Sequence, residues 1–504
     1  MENGVRLSER TKVVFVGDAS GSIYDKITTR QLTPVRVPTA NLARPVFLDA
    51  RAVLVSFNPE RRDELARILA ALGNQILDCG TFLGVILPDI TTNAADRAAV
   101  SLITSGINKR IKTLAGWDLQ EIVDECLTHQ STRAPNPSLH ICPLKDSDRT
   151  PSFETLLQRA FSEFAGIRVD SLHGGKSKAS GVYRVYAYNE NEQCVAPFVV
   201  KTGPRSKIAP EIYGLEDLVL DHVPFQFRPP LARDRCVDGA DDRLLVSMFV
   251  DRAMRFDQYL DFGPPVLAIS SLFDGPLRTW RQQQDLIQTD KPIGLAEEYE
   301  RYEVLPSIEE SDCLLAPYSF ASNTESEFQR PKELLTTLYG FPRIRVAQCY
   351  CHGDLHTRNI FIRHNSLDVV LIDFAHATYQ SPAARDPAKL DVAIAFDVWD
   401  DQKANQQYLS RETLARLYRP PLLPPGRISV THSRVDAIRQ VRLEAVIDCC
   451  PAEYDVTVAC YLLSFASIEP TACAENRAQF DSMRGIAYAL ANNIIKYRTS
   501  VGVS

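Results

Sequence analysis

Short apolar runs alternate with segments of helical periodicity in the first part of the chain, up to about residue 143. Runs of strand length occupy residues 12–16, 52–57, 76–78 and 84–87. Strands separated by helical segments are typical of a sheet packed between helices. The pattern therefore predicts a small α/β domain at the start of the chain.

The clearest helical segment of this region follows the second apolar run. Asn58 and Pro59 form a pair suited to a helix cap and first turn. Apolar residues then recur at the spacing of one helical face: Leu65, Ile68, Leu69 and Leu72. Gly73 is predicted to close this helix, and Asp118 is predicted to open another with Glu121 in its first turn.

Two stretches rich in proline, serine and aspartate, residues 131–137 and 145–151, indicate a domain boundary, which we place at Asp148. The predicted domains are therefore residues 1–148 and 149–504.

The pattern of the second predicted domain differs from that of the first. After a helix that starts at Thr150 and Pro151, strand-like segments separated by turns continue to Lys201. The chain becomes mainly helical from about residue 331, with strongly apolar helical segments at 435–447 and 453–465. A β-rich lobe at about 165–250 followed by a helical lobe at about 251–504 gives an α+β fold class.

Composition narrows the classes of protein to consider. The 504 residues are 45% hydrophobic and 24% charged, and no apolar run approaches the length of a membrane span. Residues 1–10 lack the pattern of a secretory signal, so a cytoplasmic location is expected. A net charge of -7 argues against general nucleic-acid binding.

Twelve cysteines are scattered through the chain without any C-x-x-C spacing, which predicts reduced thiols and no zinc ribbon. Cys349 and Cys351 flank Tyr350 on a predicted strand, so alternation should direct both thiols to one face.

Candidate chemistry is concentrated between Tyr350 and Phe374, in the sequence Tyr-Cys-His-Gly-Asp-Leu-His-Thr-Arg-Asn and in the later Val-Val-Leu-Ile-Asp-Phe. Phosphoryl transfer requires a carboxylate that orients the attacking hydroxyl and accepts its proton, and oxygen ligands for Mg²⁺. Asp354 suits the first role. Asn359, after a tight loop, and Asp373, at the end of a predicted buried strand, suit the second.

These residues resemble the aminoglycoside phosphotransferase and choline kinase-like superfamily, which shares the two-lobed protein-kinase fold. The resemblance implies ATP and Mg²⁺ as cofactors, Asp354 as catalytic base, and Asn359 and Asp373 as Mg²⁺ ligands. It implies that His352 braces the catalytic loop. For His356 two alternative roles stay open. It either contacts substrate or phosphate, or it hydrogen-bonds to the loop backbone.

The same resemblance extends upstream. Gly174 and Gly175 are expected to form a turn whose amides lie over phosphates, and Lys201, at the end of an apolar strand, to anchor phosphate. Glu211, placed at a helix start after Pro210, is the expected partner of Lys201, with Glu216 as the alternative.

Backbone groups of Met248, Phe249 and Val250 are expected at the hinge, where they would hold adenine. About 100 residues separate this hinge from the catalytic loop, which implies an inserted helical subdomain. Downstream, Asp391 is expected to brace the catalytic loop through its backbone. Acidic residues follow it at Asp397, Asp400 and Asp401, either as a solvated face or as a site for a cationic acceptor.

The leading hypothesis is a phosphotransferase that moves the γ-phosphoryl group of ATP to a hydroxyl of an unidentified small-molecule or macromolecular acceptor. The alternatives are an inactive nucleotide-binding signalling or scaffold module on the same fold, and a nucleotidyl transferase. Residues 1–148 are expected to be sensory, docking or regulatory, with a protein partner as one expected role.

Overall fold

The computed structural model describes fourteen stretches of the chain: residues 10–17, 21–87, 94–115, 118–128, 133–142, 150–172, 181–282, 287–288, 291–312, 328–363, 367–396, 409–425, 433–468 and 477–502. Contacts between residues divide the chain into two compact units. The first consists of Met1–Ala209 and Pro230–Phe249, and the second of Pro210–Pro229 and Val250–Ser504. The predicted boundary at Asp148 lies outside the described residues.

Strands and helices alternate in the first part of the first unit. The strands are β1 (Lys12–Val16), β2 (Thr33–Val37), β3 (Ala52–Ser56), β4 (Phe82–Leu87) and β5 (Lys112–Ala115). The helices are α1 (Gly21–Thr29), α2 (Arg44–Phe47), α3 (Arg62–Asp78), α4 (Ala94–Ile107) and α5 (Leu119–Thr128). The strands form a parallel sheet in the order β2-β1-β3-β4-β5. Apolar clusters lie on both faces of this sheet, as the continuous apolar runs predict.

One helix of this region is longer than its sequence pattern predicts. Asn58 accepts a hydrogen bond from the Glu60 N–H at 2.9 Å and so caps a short 3₁₀ turn, Pro59–Arg61, that leads directly into α3. The helix then continues past Gly73 to Asp78, so the predicted end at Gly73 and the predicted strand at 76–78 are wrong. Ile76 and Leu77 are fully buried, and their contacts with the core favour continuation of the helix past the glycine.

A second, mainly antiparallel sheet completes the first unit. Its strands are β6 (His140–Cys142), β7 (Gly166–Ser171), β8 (Gly181–Tyr188), β9 (Cys194–Pro204), β10 (Val237–Asp238) and β11 (Asp242–Met248). They lie in the order β10-β11-β9-β8-β7-β6, with only β6 and β7 parallel. Helix α6 (Pro151–Ala160) packs its apolar face on this sheet, and Thr150 caps it as predicted by accepting from the Phe153 N–H at 3.2 Å.

The second unit is mainly helical in its described parts. Its helices are α8 (Phe256–Phe262), α9 (Pro265–Asp274), α10 (Pro276–Gln282), α11 (Leu295–Arg301), α12 (Pro331–Tyr339), α13 (Arg385–Phe396), α14 (Arg411–Leu417), α15 (Arg434–Ala445), α16 (Pro451–Ser467) and α17 (Arg477–Val501). Helix α7 (Arg205–Tyr213) includes the residue at which the two units divide. The helices predicted at 435–447 and 453–465 are confirmed as α15 and α16, and α8 to α12 lie in the described parts of the segment between hinge and catalytic loop.

Two small sheets carry the remaining strands of the second unit. Strands β12 (Ala253–Arg255), β15 (Ile360–Arg363) and β16 (Val369–Leu371) form one, and β13 (Ile287–Gln288), β14 (Ala347–Cys351) and β17 (Thr378–Pro382) form the other. Within the described ranges, none of the helices combines the length and the apolar character that a bilayer crossing requires.

Glu453 is a buried acid in the first turn of α16. Its side chain is 1% exposed, and its Oε1 accepts from the Ala384 N–H at 3.4 Å. Burial raises the pKa of Glu453 to about 8. The carboxyl group therefore remains protonated in the folded protein at pH values where it would ionise in the unfolded chain.

Glu453→Gln is expected to raise the unfolding temperature at pH 9 and to leave it nearly unchanged at pH 5. The stability associated with protonated Glu453 is complete below the unfolded pKa and is lost as the pH rises through about 8. The expected gain at pH 9 is about 1–3 kcal/mol, measured by thermal unfolding at both pH values. Glu412→Gln, at an exposed position of α14, is the control and should show no such pH dependence. An equal shift at pH 5 and pH 9 in Glu453→Gln would contradict this account.

Candidate active site

The motif segment forms a loop between strands β14 and β15, and its last residues make a single 3₁₀ turn, Thr357–Asn359. Leu355, in the middle of the loop, and Ile360, directly after it, are fully buried and anchor the loop in the core. Strand β15 pairs with β16 in antiparallel register, with Ile360 opposite Leu371. The predicted order of loop, strand and neighbouring strand is confirmed, and it places Asp373 two residues beyond a strand that pairs with the end of the loop.

The start of the loop is held by the carboxylate of Asp386, in the first turn of α13. The His352 N–H donates to Asp386 Oδ2 at 2.7 Å, and the Gly353 N–H donates to Oδ1 at 2.9 Å. Asp386 is 4% exposed. Because a buried amide without an acceptor is costly, this carboxylate fixes the backbone just before Asp354.

The expectation that Asp391 braces the loop is wrong. The Asp391 carboxylate accepts instead from Arg442 at 2.6 Å, Tyr418 at 2.6 Å and Tyr454 at 2.9 Å. Five residues of α-helix correspond to a rotation of about 140°, so Asp386 and Asp391 face different sides of α13. Asp386 faces the loop, and Asp391 faces the neighbouring helices.

His352 is fully buried and links the loop to the strand beside it. Its Nε2 lies 2.9 Å from the carbonyl oxygen of Ile372, and its ring lies 5.2 Å from that of Phe374, centroid to centroid. Ile372 directly precedes Asp373. These contacts suit the bracing role implied by the family resemblance.

Asn359 is hydrogen-bonded to Asp354 and to the residue that precedes Asp373. Its side-chain Nδ2–H donates to the backbone oxygen of Asp354 at 3.0 Å. The Ile372 N–H donates to the backbone oxygen of Asn359 at 3.0 Å. Hydrogen bonds of Asn359 thus link Asp354 to the residue directly before Asp373. The spacing of these residues in the sequence could not establish these bonds.

Asp354 is half-buried between a lysine and a histidine. Lys389 Nζ lies 3.4 Å from its Oδ1, and His356 Nε2 lies 3.5 Å from its Oδ2. Burial opposes ionisation, but Lys389 and the imidazoles of His356, His352 and His376 outweigh it and hold the pKa of Asp354 well below its usual range. The side chain is therefore an anion at neutral pH, suited to orienting a hydroxyl.

Lys389 is a candidate residue that the sequence reasoning missed. It lies on α13 three residues after Asp386, a spacing that places two side chains on the same helical face. Recognising Asp386 as the brace would therefore have indicated Lys389 as a neighbour of Asp354. Asp391, the residue that the sequence favoured, lies on another side of the helix.

Asp373 has a left-handed backbone, with φ +62°. This conformation is uncommon except in glycine, asparagine and aspartate, and it ends the extended course of the strand. The side chain is half-buried. Among the described residues no group of three or more histidine, cysteine, aspartate or glutamate side chains is arranged to hold a metal.

The side-chain oxygen atoms of Asn359 and Asp373 suit an Mg²⁺ ion that is also bound by phosphates. Asn359 uses its amide N–H for the Asp354 backbone, which leaves its oxygen as a hard ligand, and Asp373 supplies a carboxylate. Mg²⁺ commonly keeps waters and takes only one or two protein carboxylates together with substrate phosphates.

The predicted nucleotide-binding residues lie in different parts of the chain. Lys201 lies on β9, opposite Val182 of β8 and Leu245 of β11, in the first unit. Glu211 and Glu216 belong to the second unit. The choice between them as partner of Lys201 stays a prediction. Gly174 and Gly175, like Asp397, Asp400 and Asp401, lie outside the described residues.

The expected helix start at Glu211 is wrong. Helix α7 begins at Arg205, Pro210 lies inside it, and a π-helical turn, Gly214–Val219, follows directly. Glu211 is buried and Glu216 is half-buried. Position Gly214 admits no side chain, because a Cβ there would lie 2.2 Å from the carbonyl oxygen of Phe374, next to Asp373.

Two of the three predicted hinge residues use their backbone N–H groups for hydrogen bonds within the protein. The Met248 N–H donates to Pro230 O at 2.9 Å, and the Phe249 N–H donates to Pro197 O at 3.1 Å. These two amides are not available to adenine. The remaining groups predicted to bind adenine are the backbone carbonyl groups of residues 248–250 and Val250.

Cys349 and Cys351 direct their thiols to one face of β14, as predicted, with the two Sγ atoms 3.7 Å apart. Cys351 is buried, and its hydrogen bond with Cys349 together with burial raises its pKa far above the usual range. It therefore remains a thiol.

Gly353→Ala is expected to lower the free energy of unfolding by about 2–4 kcal/mol. Gly353 has φ +79°, and a Cβ there would lie 2.0 Å from the carbonyl oxygen of His376. Chemical denaturation measures the effect. Gly106→Ala is the matched control, because Gly106 lies in α4 and a Cβ added there would meet no atom within 4 Å, so this change should be neutral or stabilising. Equal stabilities of the two variants would show that the loop does not require glycine.

A family model described as "Ternary complex associated domain 9" matches residues 319–463. No curated protein matches the chain.

Several solved structures of phosphotransferases are similar. Plasmodium vivax ethanolamine kinase is 12% identical, with a TM-score of 0.33, over 64% of this chain and 82% of that protein. Aminoglycoside phosphotransferase APH(3'')-Id from Streptomyces rimosus is 16% identical, with a TM-score of 0.29, over 58% of this chain and 97% of that protein. Macrolide 2'-phosphotransferase type I is 15% identical, with a TM-score of 0.28, over 68% and 97%.

Proposed function

We propose that the protein is an Mg-ATP-dependent phosphotransferase with a protein-kinase-like fold, which transfers the γ-phosphoryl group to an acceptor hydroxyl. The observation that carries the proposal is the organisation of the catalytic loop. Asp354 is presented between Lys389 and His356, its backbone is bonded to Asn359, and Asn359 is bonded to the residue before Asp373.

Asp354 would orient the acceptor hydroxyl and accept its proton as the new oxygen–phosphorus bond forms and ADP leaves. Its low pKa favours orientation of the hydroxyl early in the reaction, with proton transfer late, when the acceptor oxygen has become acidic. Lys389 would keep the carboxylate ionised and fixed in direction.

Asn359 and Asp373 would supply the protein ligands of Mg²⁺, and Lys201 would anchor phosphate oxygens. When bound, Mg²⁺ supplies positive charge that offsets the charge developing on the phosphates. The family resemblance also motivates these roles for Lys201, for the glycines at 174 and 175 and for the hinge.

Incubation with ATP labelled in the γ-phosphate, in the presence of Mg²⁺, tests the proposal. The acceptor panel contains aminoglycosides, amino alcohols and a serine-rich peptide. Transfer of label to an acceptor together with ADP formation is the expected result. Labelled pyrophosphate would instead indicate nucleotidyl transfer, and ATP binding without turnover on any acceptor would indicate an inactive binding module.

A further inference from the structure

A cavity of about 330 Å³ lies in the helical part of the second unit. It is formed by the end of α14, the proline-rich segment that follows it, and one face of α15. Four of its lining residues are arginines: Arg416, Arg419, Arg439 and Arg442. The described lining contains no aspartate or glutamate.

The positive charge of these arginines is only partly neutralised. Arg442 is fully paired, since its Nε donates to Asp391 Oδ2 at 2.6 Å. Arg439 lies 3.4 Å from Asp436. The other two arginines are less well neutralised.

Arg416 lies 3.8 Å from Glu412, but both side chains are 85% exposed, so this pair contributes little. Arg419 has no ion pair within the described part of the chain, and it is exposed. The cavity is therefore a local positive site on a chain whose net charge is -7.

The buried arginine of the lining, Arg442, is fixed in place. Besides its bonds to Asp391, Arg442 donates from Nη1 to the backbone oxygen of Leu417 at 2.6 Å. Arg442 is 3% exposed. Because its side chain is already ordered, a ligand would not have to restrain it on binding.

Apolar side chains complete the lining. Leu417, Leu422 and Val435 contribute aliphatic surface, and Pro421, Pro424 and Pro425 contribute rigid rings. A cavity of this volume lies at the small end of the range for small-molecule sites. Its combination of guanidinium groups and apolar surface matches a molecule with an anionic group on an organic body.

We propose that this cavity is a second binding site, for a small phosphorylated organic molecule, separate from the catalytic loop. Several guanidinium groups around one space suit a phosphate monoester, which carries up to two negative charges and three acceptor oxygens. The prolines and aliphatic residues would contact the organic part. The site shares no lining residue with the proposed catalytic machinery.

Calorimetric titration of the full chain with phenyl phosphate, phenol and inorganic phosphate tests the site. Phenyl phosphate should bind, phenol should not, and affinity should fall as salt is raised. Tighter binding of phenyl phosphate than of inorganic phosphate identifies an organic ester as the ligand class. Equal binding of the two, or tighter binding of inorganic phosphate, overturns the organic part of the proposal.

Arg419→Ala and Arg439→Gln should each weaken phenyl phosphate binding by about tenfold. Arg411→Ala is the matched control, because Arg411 is an exposed arginine of α14 that does not line the cavity. Unfolding temperature checks that each variant is folded. Binding that both cavity variants leave unchanged, or that Arg411→Ala weakens equally, overturns the proposal.

Asp354→Asn separates this site from the proposed phosphotransferase function. That variant should bind phenyl phosphate normally whether or not the wild-type protein shows turnover. Loss of binding in Asp354→Asn would place the ligand at the catalytic loop and overturn the second site. Absence of turnover in the wild-type protein, with phenyl phosphate binding intact, would count against the proposed function alone.

Discussion

Asp354→Asn is expected to reduce kcat by about 10²–10⁴-fold. The amide cannot accept the proton of the acceptor hydroxyl, and it no longer pairs with Lys389 and His356, which lie 3.4 Å and 3.5 Å from the carboxylate. The measurement is the steady-state rate of phosphoryl transfer to an acceptor found in the labelled-ATP experiment. The KM for ATP should change much less than kcat.

Asp261→Asn is the matched control for this variant. Asp261 is also a carboxylate in an ion pair, 3.2 Å from Arg434, with 35% of its side chain exposed compared with 31% for Asp354. It should keep wild-type kcat. Full activity in Asp354→Asn would show that Asp354 does not take part in phosphoryl transfer.

Asp373→Ala should likewise abolish turnover in a folded protein. Lys201→Ala should mainly weaken the affinity for ATP.

Asp386→Ala is expected to lower the free energy of unfolding by about 2–5 kcal/mol and to reduce kcat strongly. It leaves the buried N–H groups of His352 and Gly353 without their acceptors, at the point where the loop turns toward Asp354. Chemical denaturation measures the first effect. Amide hydrogen exchange measures the local effect, with faster exchange expected at these two N–H groups.

Asp436→Ala provides the comparison for Asp386→Ala. Asp436 is another buried carboxylate in the first turn of a helix, where it is bonded to Ser433 and Arg439. Its loss should destabilise the fold without faster exchange confined to His352 and Gly353. If these two amides stay protected in Asp386→Ala, another group holds the loop.

The effects expected for Asp354→Asn and Asp386→Ala both depend on helix α13. Asp386 holds the loop backbone, and Lys389, one turn later, lies beside the Asp354 carboxylate. On another face of the helix, Asp391 pairs with Arg442. The position of this one helix therefore sets the direction of the proposed base.

Local sequence was sufficient to predict elements with strong patterns. The runs at β1 and β3, the cap at Thr150 and the helices α15 and α16 follow from apolar periodicity and capping residues, which act over a few neighbouring positions. The extent of α3 did not follow, because burial of Ile76 and Leu77 in the core outweighs the weak helix propensity of Gly73.

The sequence by itself determined the chemistry of the candidate site: one loop and the following strand carry a carboxylate, a carboxamide and a second carboxylate in the order that phosphoryl transfer requires. Only the tertiary structure decided that Asp386 holds the loop, that Lys389 lies beside Asp354, and that four arginines share one cavity. Motif spacing is a property of neighbouring residues, whereas these contacts join helices and loops far apart in the chain. Such contacts depend on which face of each helix is buried, and that is set by packing.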